Sequence, residues 1–207
     1  MKYLMVLLMA LLMSGAVGSV CAQTVTKEHM KMAKKAAKAK DKEGWKVSGG
    51  GMPIVSQMAE SYAMQEMRND DGDKKYVFAT QTAPGKFYSA AKAQALANAK
   101  TEIASKLESE MAGIIENKLA NDAINSEDAE SVNQTLQNSK QLISAKLGKI
   151  ITVCEWYREL PNKGVEVEIT IACDFDIVEK QARKVLREEL LKKSAALGES
   201  IDEILSR

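Results

Sequence analysis

The chain holds a single histidine, His29, and that scarcity removes much chemistry at once. One imidazole cannot build a His-based metal cluster, and no nucleophile pattern surrounds it to make a catalytic triad. His29 lies in a lysine-rich stretch and reads as a surface residue. An excess of one charge is also lacking: 29 Lys+Arg stand against 28 Asp+Glu, a formal net charge of +1. That balance supplies no global attraction to nucleic acid or anionic lipid. Long hydrophobic runs are confined to the first residues. Leu4 to Met13 is too short to be a stable membrane anchor, and no later apolar run is long enough for a membrane helix, so no transmembrane segment is expected in the mature chain. Proline is rare, at 3 residues, and none falls between Phe87 and Asn121.

What is present begins with a secretory pattern. Lys2 is a charged n-region, Leu4 to Met13 an apolar h-region, and small residues from Ser14 to Ser19 lead to Val20-Cys21-Ala22. Cleavage after Ala22 leaves a chain starting at Gln23 and removes Lys2, so that 28 basic residues balance 28 acidic ones. The rival reading is lipidation at Cys21, for which Val20 is a poor preceding residue. Either way the chain is read as exported, to the periplasm or the outer membrane of a bacterium.

Val25 to Lys42 reads as a helix with Thr26 as its cap. Seven lysines stand against a thin apolar face of Met30, Ala33 and Ala37. A solvated helix is preferred here over a polyanion-binding arm. Trp45 to Ser48 reads as a short extended piece, and Gly49-Gly50-Gly51 as a flexible turn without the Lys-Ser/Thr of a phosphate loop. Pro53 opens a short Met-rich helix, its methionines read as core or docking surface. Asn69 to Asp73 mimics a calcium loop. Counted from Asn69, however, Lys74 stands where Gly is required and Thr80 where Glu is required, so the segment reads as a solvated turn.

Lys75 to Thr82 is a strand, ended by Ala83-Pro84-Gly85. Phe87 to Asn121 is one long helix, Ala-rich at first and then striped by Leu96, Ile103, Leu107, Met111, Ile114 and Leu119. Its Ala-rich half can lie close against a sheet. Its bulkier half pairs with a second helix, capped by Ser126 and striped by Val132, Leu136, Ile143 and Leu147. The hairpin tip, Asn121 to Ser126, is a candidate partner contact. Ile150 to Leu160 and Val165 to Phe175 form a strand hairpin. The alternation in the second strand predicts one core face and one wet face. Asp176 caps the last helix, whose core face holds Ile177, Ala182, Val185, Leu186 and Leu190, and Gly198 marks a kink in the tail.

Chemistry is thin. Cys154 and Cys173 lie on adjacent strands in an oxidising compartment. A two-residue Asn162-Lys163 turn would place them diagonally, with Cα atoms about 7–8 Å apart, beyond ordinary disulfide reach. A shifted register would permit the bond, so two buried thiols and a bridge both stay open. Glu155, Glu159, Glu166 and Glu168 gather on the hairpin. Paired carboxylates can do acid–base work, but on a wet face near lysines they read as solvent-facing charge.

The strand Tyr76-Val77-Phe78-Ala79, the run Ser89 to Lys100 and the hairpin through Trp156 and Val165-Glu166-Val167 resemble the lipoprotein-20-like family of bacterial envelope proteins. Glu43 to Lys46, Pro53-Ile54 and Gln57-Met58 also resemble uncharacterised exported proteins of the Bacteroidota. The resemblance covers about half of the chain. It implies a small α+β domain at the cell envelope, often lipidated, and supplies no catalytic residue.

The reading is thus a signal peptide (1–22), an N-terminal helical extension (23–73) and an α+β domain (74–207). In the last, a small, mainly antiparallel sheet is covered by a long helix, a helical hairpin and a C-terminal helix. No catalytic, cofactor-binding or metal-binding residue is assigned. The expected function is non-enzymatic, through contacts with an envelope protein partner and without nucleic acid; a homo-oligomer is compatible with it. The alternative is a small-ligand binder or hydrolase using the hairpin's wet face. An exposed apolar stripe on the terminal helix would favour the interaction reading.

Overall fold

Val165–Asp174 is the most continuously buried strand among the described residues, and it lies at the centre of the sheet. A computed structural model describes residues 25–121 and 123–206. The elements are α1 (Lys27–Lys42), α2 (Ile54–Gln65), β1 (Tyr76–Gly85), α3 (Tyr88–Ala120), α4 (Ser126–Ala145), β2 (Ile151–Glu159), β3 (Val165–Asp174), α5 (Phe175–Leu191) and α6 (Ala195–Ile204). The strands pair antiparallel in the order β1-β3-β2, the expected α+β architecture. The signal-peptide and Cys21 readings fall outside the described residues.

On the front face Val167, Ile169, Ile171 and Cys173 are fully buried. They meet α3, and around them gather α4, α5 and α6. The fully buried positions of α3 are Ala91, Ala95, Ala99, Ile103, Ala104, Leu107, Met111 and Ile115. Apart from Ala104 they recur every four residues. Each such step turns the helix about 40° beyond a full revolution, so the stripe rotates by about 240° from Ala91 to Ile115. The buried face therefore starts against the sheet and ends against α4, where Ala129, Val132, Leu136 and Ile143 receive it. Alanine is needed at the sheet end because the approach is close. A Cβ on Gly85 would sit 2.8 Å from the Ala91 amide nitrogen and 3.0 Å from its Cβ. The rotation also makes Ile115, rather than the expected Ile114, the buried residue; Leu96, Ile114 and Leu119 are only partly covered.

The back face is not wet, contrary to the alternation reading. Thr170 and Ala172 are buried there, with Val153, Cys154 and Trp156 of β2, under Ala33 and Ala37 of α1, Trp45, and Ile54, Met58 and Ala59 of α2. Small or weakly polar residues on β3 leave room for helices as readily as for water. The sheet is thus a middle layer between two helical layers.

Both sheet edges are managed. Tyr157 exchanges backbone hydrogen bonds with Lys46 (2.8 and 2.7 Å), and the Gln57 side chain accepts the Glu155 N–H at 2.7 Å, which closes the β2 edge. On β1, Lys106 donates to the Phe78 carbonyl at 2.6 Å. Pro84 shares the parity of Phe78, so its missing N–H falls on the unpaired side, where a strand tolerates proline. This is why β1 runs on through Gly85 instead of ending at Thr82.

Several helix ends differ from the sequence reading by one or two residues. Thr26 caps α1 as expected. Pro53 is an N-cap rather than a first helical residue. Asn125, not Ser126, caps α4, accepting the Asp128 N–H at 2.8 Å. Asp174, not Asp176, caps α5, accepting the Ile177 N–H at 3.3 Å. That earlier start turns Ile177 outward (49% exposed) and puts Val178 in the core. The chain breaks before Ser194, the N-cap of α6, rather than at Gly198. Gly198 instead lets α6 lie on α5, since a Cβ there would meet Leu191 Cγ at 2.5 Å.

The close approach of β1 and α3 yields a test. Gly85→Ala is expected to destabilise the fold by about 1–3 kcal/mol through overpacking. Urea denaturation followed by far-UV circular dichroism measures it, with Gly113→Ala, whose Cβ would meet no atom within 4 Å, as the tolerated control.

Candidate functional site

The four hairpin carboxylates are the first residues to place. Glu168 points to the back layer, where Lys40 Nζ lies 2.6 Å from both its oxygens and Trp156 Nε1 donates to it at 3.0 Å. Lys40 also lies 4.9 Å from the Trp45 ring centroid and 5.5 Å from that of Trp156, and Arg158 stacks over Trp45 at 4.6 Å. Glu166 is held by Arg158 at 2.6 Å. On the front, Glu155 takes Lys92 at 2.7 Å and the Tyr88 hydroxyl. Burial, and then the bond to Glu155, push the Tyr88 phenol above its ordinary value. Glu159 faces Lys46 at 3.4 Å, both largely exposed. Each carboxylate thus has a cationic partner; Glu155 and Glu168 anchor α3 and α1 to the sheet, and Glu166 links β3 to β2. Because Glu168 and Lys40 are mostly buried (14% and 20% exposed), removing either partner strands the other's charge in a poorly hydrated place.

The cysteines are settled by register. The turn is one residue longer than the two-residue reading, so Glu159 faces Val165 and Cys154 faces Thr170. A bulge at Val153 then shifts the pairing again. Cys154 shares the back face with Thr170, while Cys173 belongs to the front core, so the sheet separates two free, buried thiols. Cys154 Sγ lies 3.6 Å from the Gln57 carbonyl. Burial pushes the Cys154 thiol from 9.0 up to about 12 and the Cys173 thiol up to about 11.

His29 is a correction. It is 2% exposed, not a surface residue. Its Nδ1 accepts the Thr26 N–H at 3.2 Å and its Nε2 lies 2.8 Å from a Glu66 oxygen. A neutral imidazole protonated on Nε2 satisfies both contacts, with His29 completing the α1 capping box. Thr26 was legible as a cap; a histidine in the Glu/Gln position of that box was not.

An open groove lies on the β1 edge, where sequence reading placed no function. With a volume of about 790 Å³, it runs between the end of α2, the turn at Arg68–Lys74, the first residues of β1, α3 at Lys106 and Glu110, and Phe175. The Tyr76 and Phe78 rings meet edge to face at 6.4 Å. Arg68 and Lys74 are exposed on its rim, joined by an isolated antiparallel bridge. The Asn69 side chain fixes this turn by accepting the Asp73 N–H at 2.9 Å and donating to Asp176 at 3.2 Å. Its basic groups and rings were each visible in the sequence, but their convergence depends on tertiary packing. A second groove of about 370 Å³ lies between the α3–α4 tip and α6. Among the described residues, no group of three or more His, Cys, Asp or Glu is placed to hold a metal ion, and no helix is long and apolar enough to cross a membrane. Compared with protein-family models, curated proteins and solved structures, the chain matches none.

Two measurements follow from the thiols. At neutral pH, Cys154 and Cys173 are expected to resist a thiol reagent in the folded protein and to react fully after unreduced unfolding; a shortfall of two thiols would indicate a bridge. Their raised values also couple to stability. The contribution of the neutral thiols is complete below about pH 9 and is lost as pH rises through about 11–12. Urea midpoints taken from neutral to alkaline pH should fall, and less steeply for Cys154→Ser than for the parent chain.

Proposed function

We propose that the protein is an exported, non-enzymatic component of a bacterial cell envelope that acts by contact with another protein. The observation that carries this reading is the occupation of the hairpin carboxylates. Glu155 and Glu168 are bound by donors from α3 and α1 that tie the layers together, and Glu166 is bound across the strands by Arg158. The chemistry-bearing side chains therefore serve the fold. The resemblance to lipoprotein-20-like envelope proteins and the secretory pattern of residues 1–22 support the location.

The terminal helix does not offer the contact surface. Ile201 and Leu205 are fully buried, so its apolar stripe is spent within the molecule. The tip of the α3–α4 pair is likewise tied to the C-terminus, with Lys118 donating to Ser206 at 3.1 Å. The β1 groove is the better-formed surface, with a strand edge, two aromatic rings and the exposed Arg68 and Lys74. A second reading uses the same groove for a small ligand, since about 790 Å³ lies within the range of small-molecule sites. It replaces the hairpin face, which is covered by α1 and α2.

Crosslinking in intact envelopes followed by affinity capture tests the proposal. The parent chain is expected to recover a reproducible crosslinked partner. Arg68→Glu with Lys74→Glu is expected to reduce that species about tenfold while leaving the circular dichroism unchanged. Recovery of the protein only as an uncrosslinked monomer would overturn the reading.

A further inference from the structure

We propose that the outward face of α1 docks on an anionic lipid bilayer. Lys27, Lys31, Lys34, Lys35, Lys38 and Lys42 are all exposed. Placed at about 100° per residue, the six fall within an arc of about 100° on a helix about 24 Å long. The opposite side carries His29, Ala33 and Ala37, which fix α1 to the back layer. None of the six lies within ion-pair distance of an acidic group among the described residues, whereas the inward Lys40 is neutralised by Glu168. The stripe is therefore a row of free cations held in one direction by a rigid, capped and docked helix. It is not a loose arm, and the lysines are not sharing their charge with the protein's own surface.

The charge of the molecule is polarised to match. The whole chain carries +1, and α1, with seven lysines against Glu28 and Asp41, carries +5, which leaves −4 on everything else. Near an anionic plane, such a distribution turns α1 toward the surface and the remainder away from it. Occupancy by a bilayer rather than a nucleic acid follows from the shape and composition of the stripe. It is convex and carries no aromatic side chain on which bases could stack. Long lysine stems suit a headgroup layer, where each basic residue adds to binding. This inference concerns a different surface from the β1 groove and stands independently of the partner assigned there.

The test uses the full chain and sedimentation with vesicles of pure phosphatidylcholine or of phosphatidylcholine with about one-third phosphatidylglycerol. The quantity read is the increment due to the anionic lipid, which separates α1 from any contribution of residues 1–22. The parent chain is expected to bind the anionic vesicles at least tenfold more tightly, with the increment shrinking as salt shortens the screening length. Lys31→Glu with Lys34→Glu and Lys38→Glu is expected to abolish the increment. Lys86→Glu with Lys163→Glu and Lys180→Glu, an equal change of charge elsewhere, is expected to keep most of it. Neutral Lys→Gln changes at positions 31, 34 and 38 give a milder loss and guard against a misfolded reversal variant. Equal binding to both vesicle types, equal loss in the two triple variants, or tighter binding to duplex RNA than to anionic vesicles at the same salt would overturn the proposal.

Discussion

Burial of β3 on both faces is the constraint on which the structure depends. A strand whose two faces are both removed from water needs a helical layer on each side. The front layer is assembled by α3 and its partners, the back layer by α1 and α2. Either layer alone would leave half of β3 exposed. The N-terminal segment is therefore a structural necessity for the sheet, and the Lys40–Glu168 pair with its two indoles is the polar fastening at that seam. Buried charge of this kind adds little net stability but penalises any misplacement of α1.

The same constraint accounts for the sparse chemistry. Carboxylates that would look poised on an open hairpin are consumed as anchors once α1 and the start of α3 arrive. The lone imidazole becomes a cap, and the thiols become core. What stays open lies where no layer reaches: the outer edge of β1 and the outward side of α1.

Much of this was legible in the residues. The long helix, the hairpin partner with Val132, Leu136, Ile143 and Leu147, and strands β1 and β3 each declare themselves through a period that survives in the fold, whereas the uneven alternation of β2 reflects its bulge at Val153. The errors have physical causes. Thr170 and Ala172 read as a wet face because small and weakly polar side chains do not reveal what covers them. His29 read as exposed because its neighbours are lysines, yet the helix turns it inward with Ala33 and Ala37. Asp176 and Ser126 are sound caps in isolation, but Asp174 and Asn125 lie where the chain leaves its extended conformation. The groove could not be read, since its walls come from three separate stretches, 65–78, 106–110 and Phe175.

The pairing of β1 with β3 joins Tyr76 to Asp174 and Gly85 to Val165. Those contacts join residues 98 and 80 positions apart, and Lys40 reaches 128 residues forward to Glu168. Distant contacts form slowly because a long loop must close before they contribute. During synthesis neither helical layer has its central strand to rest on until β3 has emerged. The anchoring of α1 and α2 therefore waits on a strand that begins only at Val165, far along the chain from both helices.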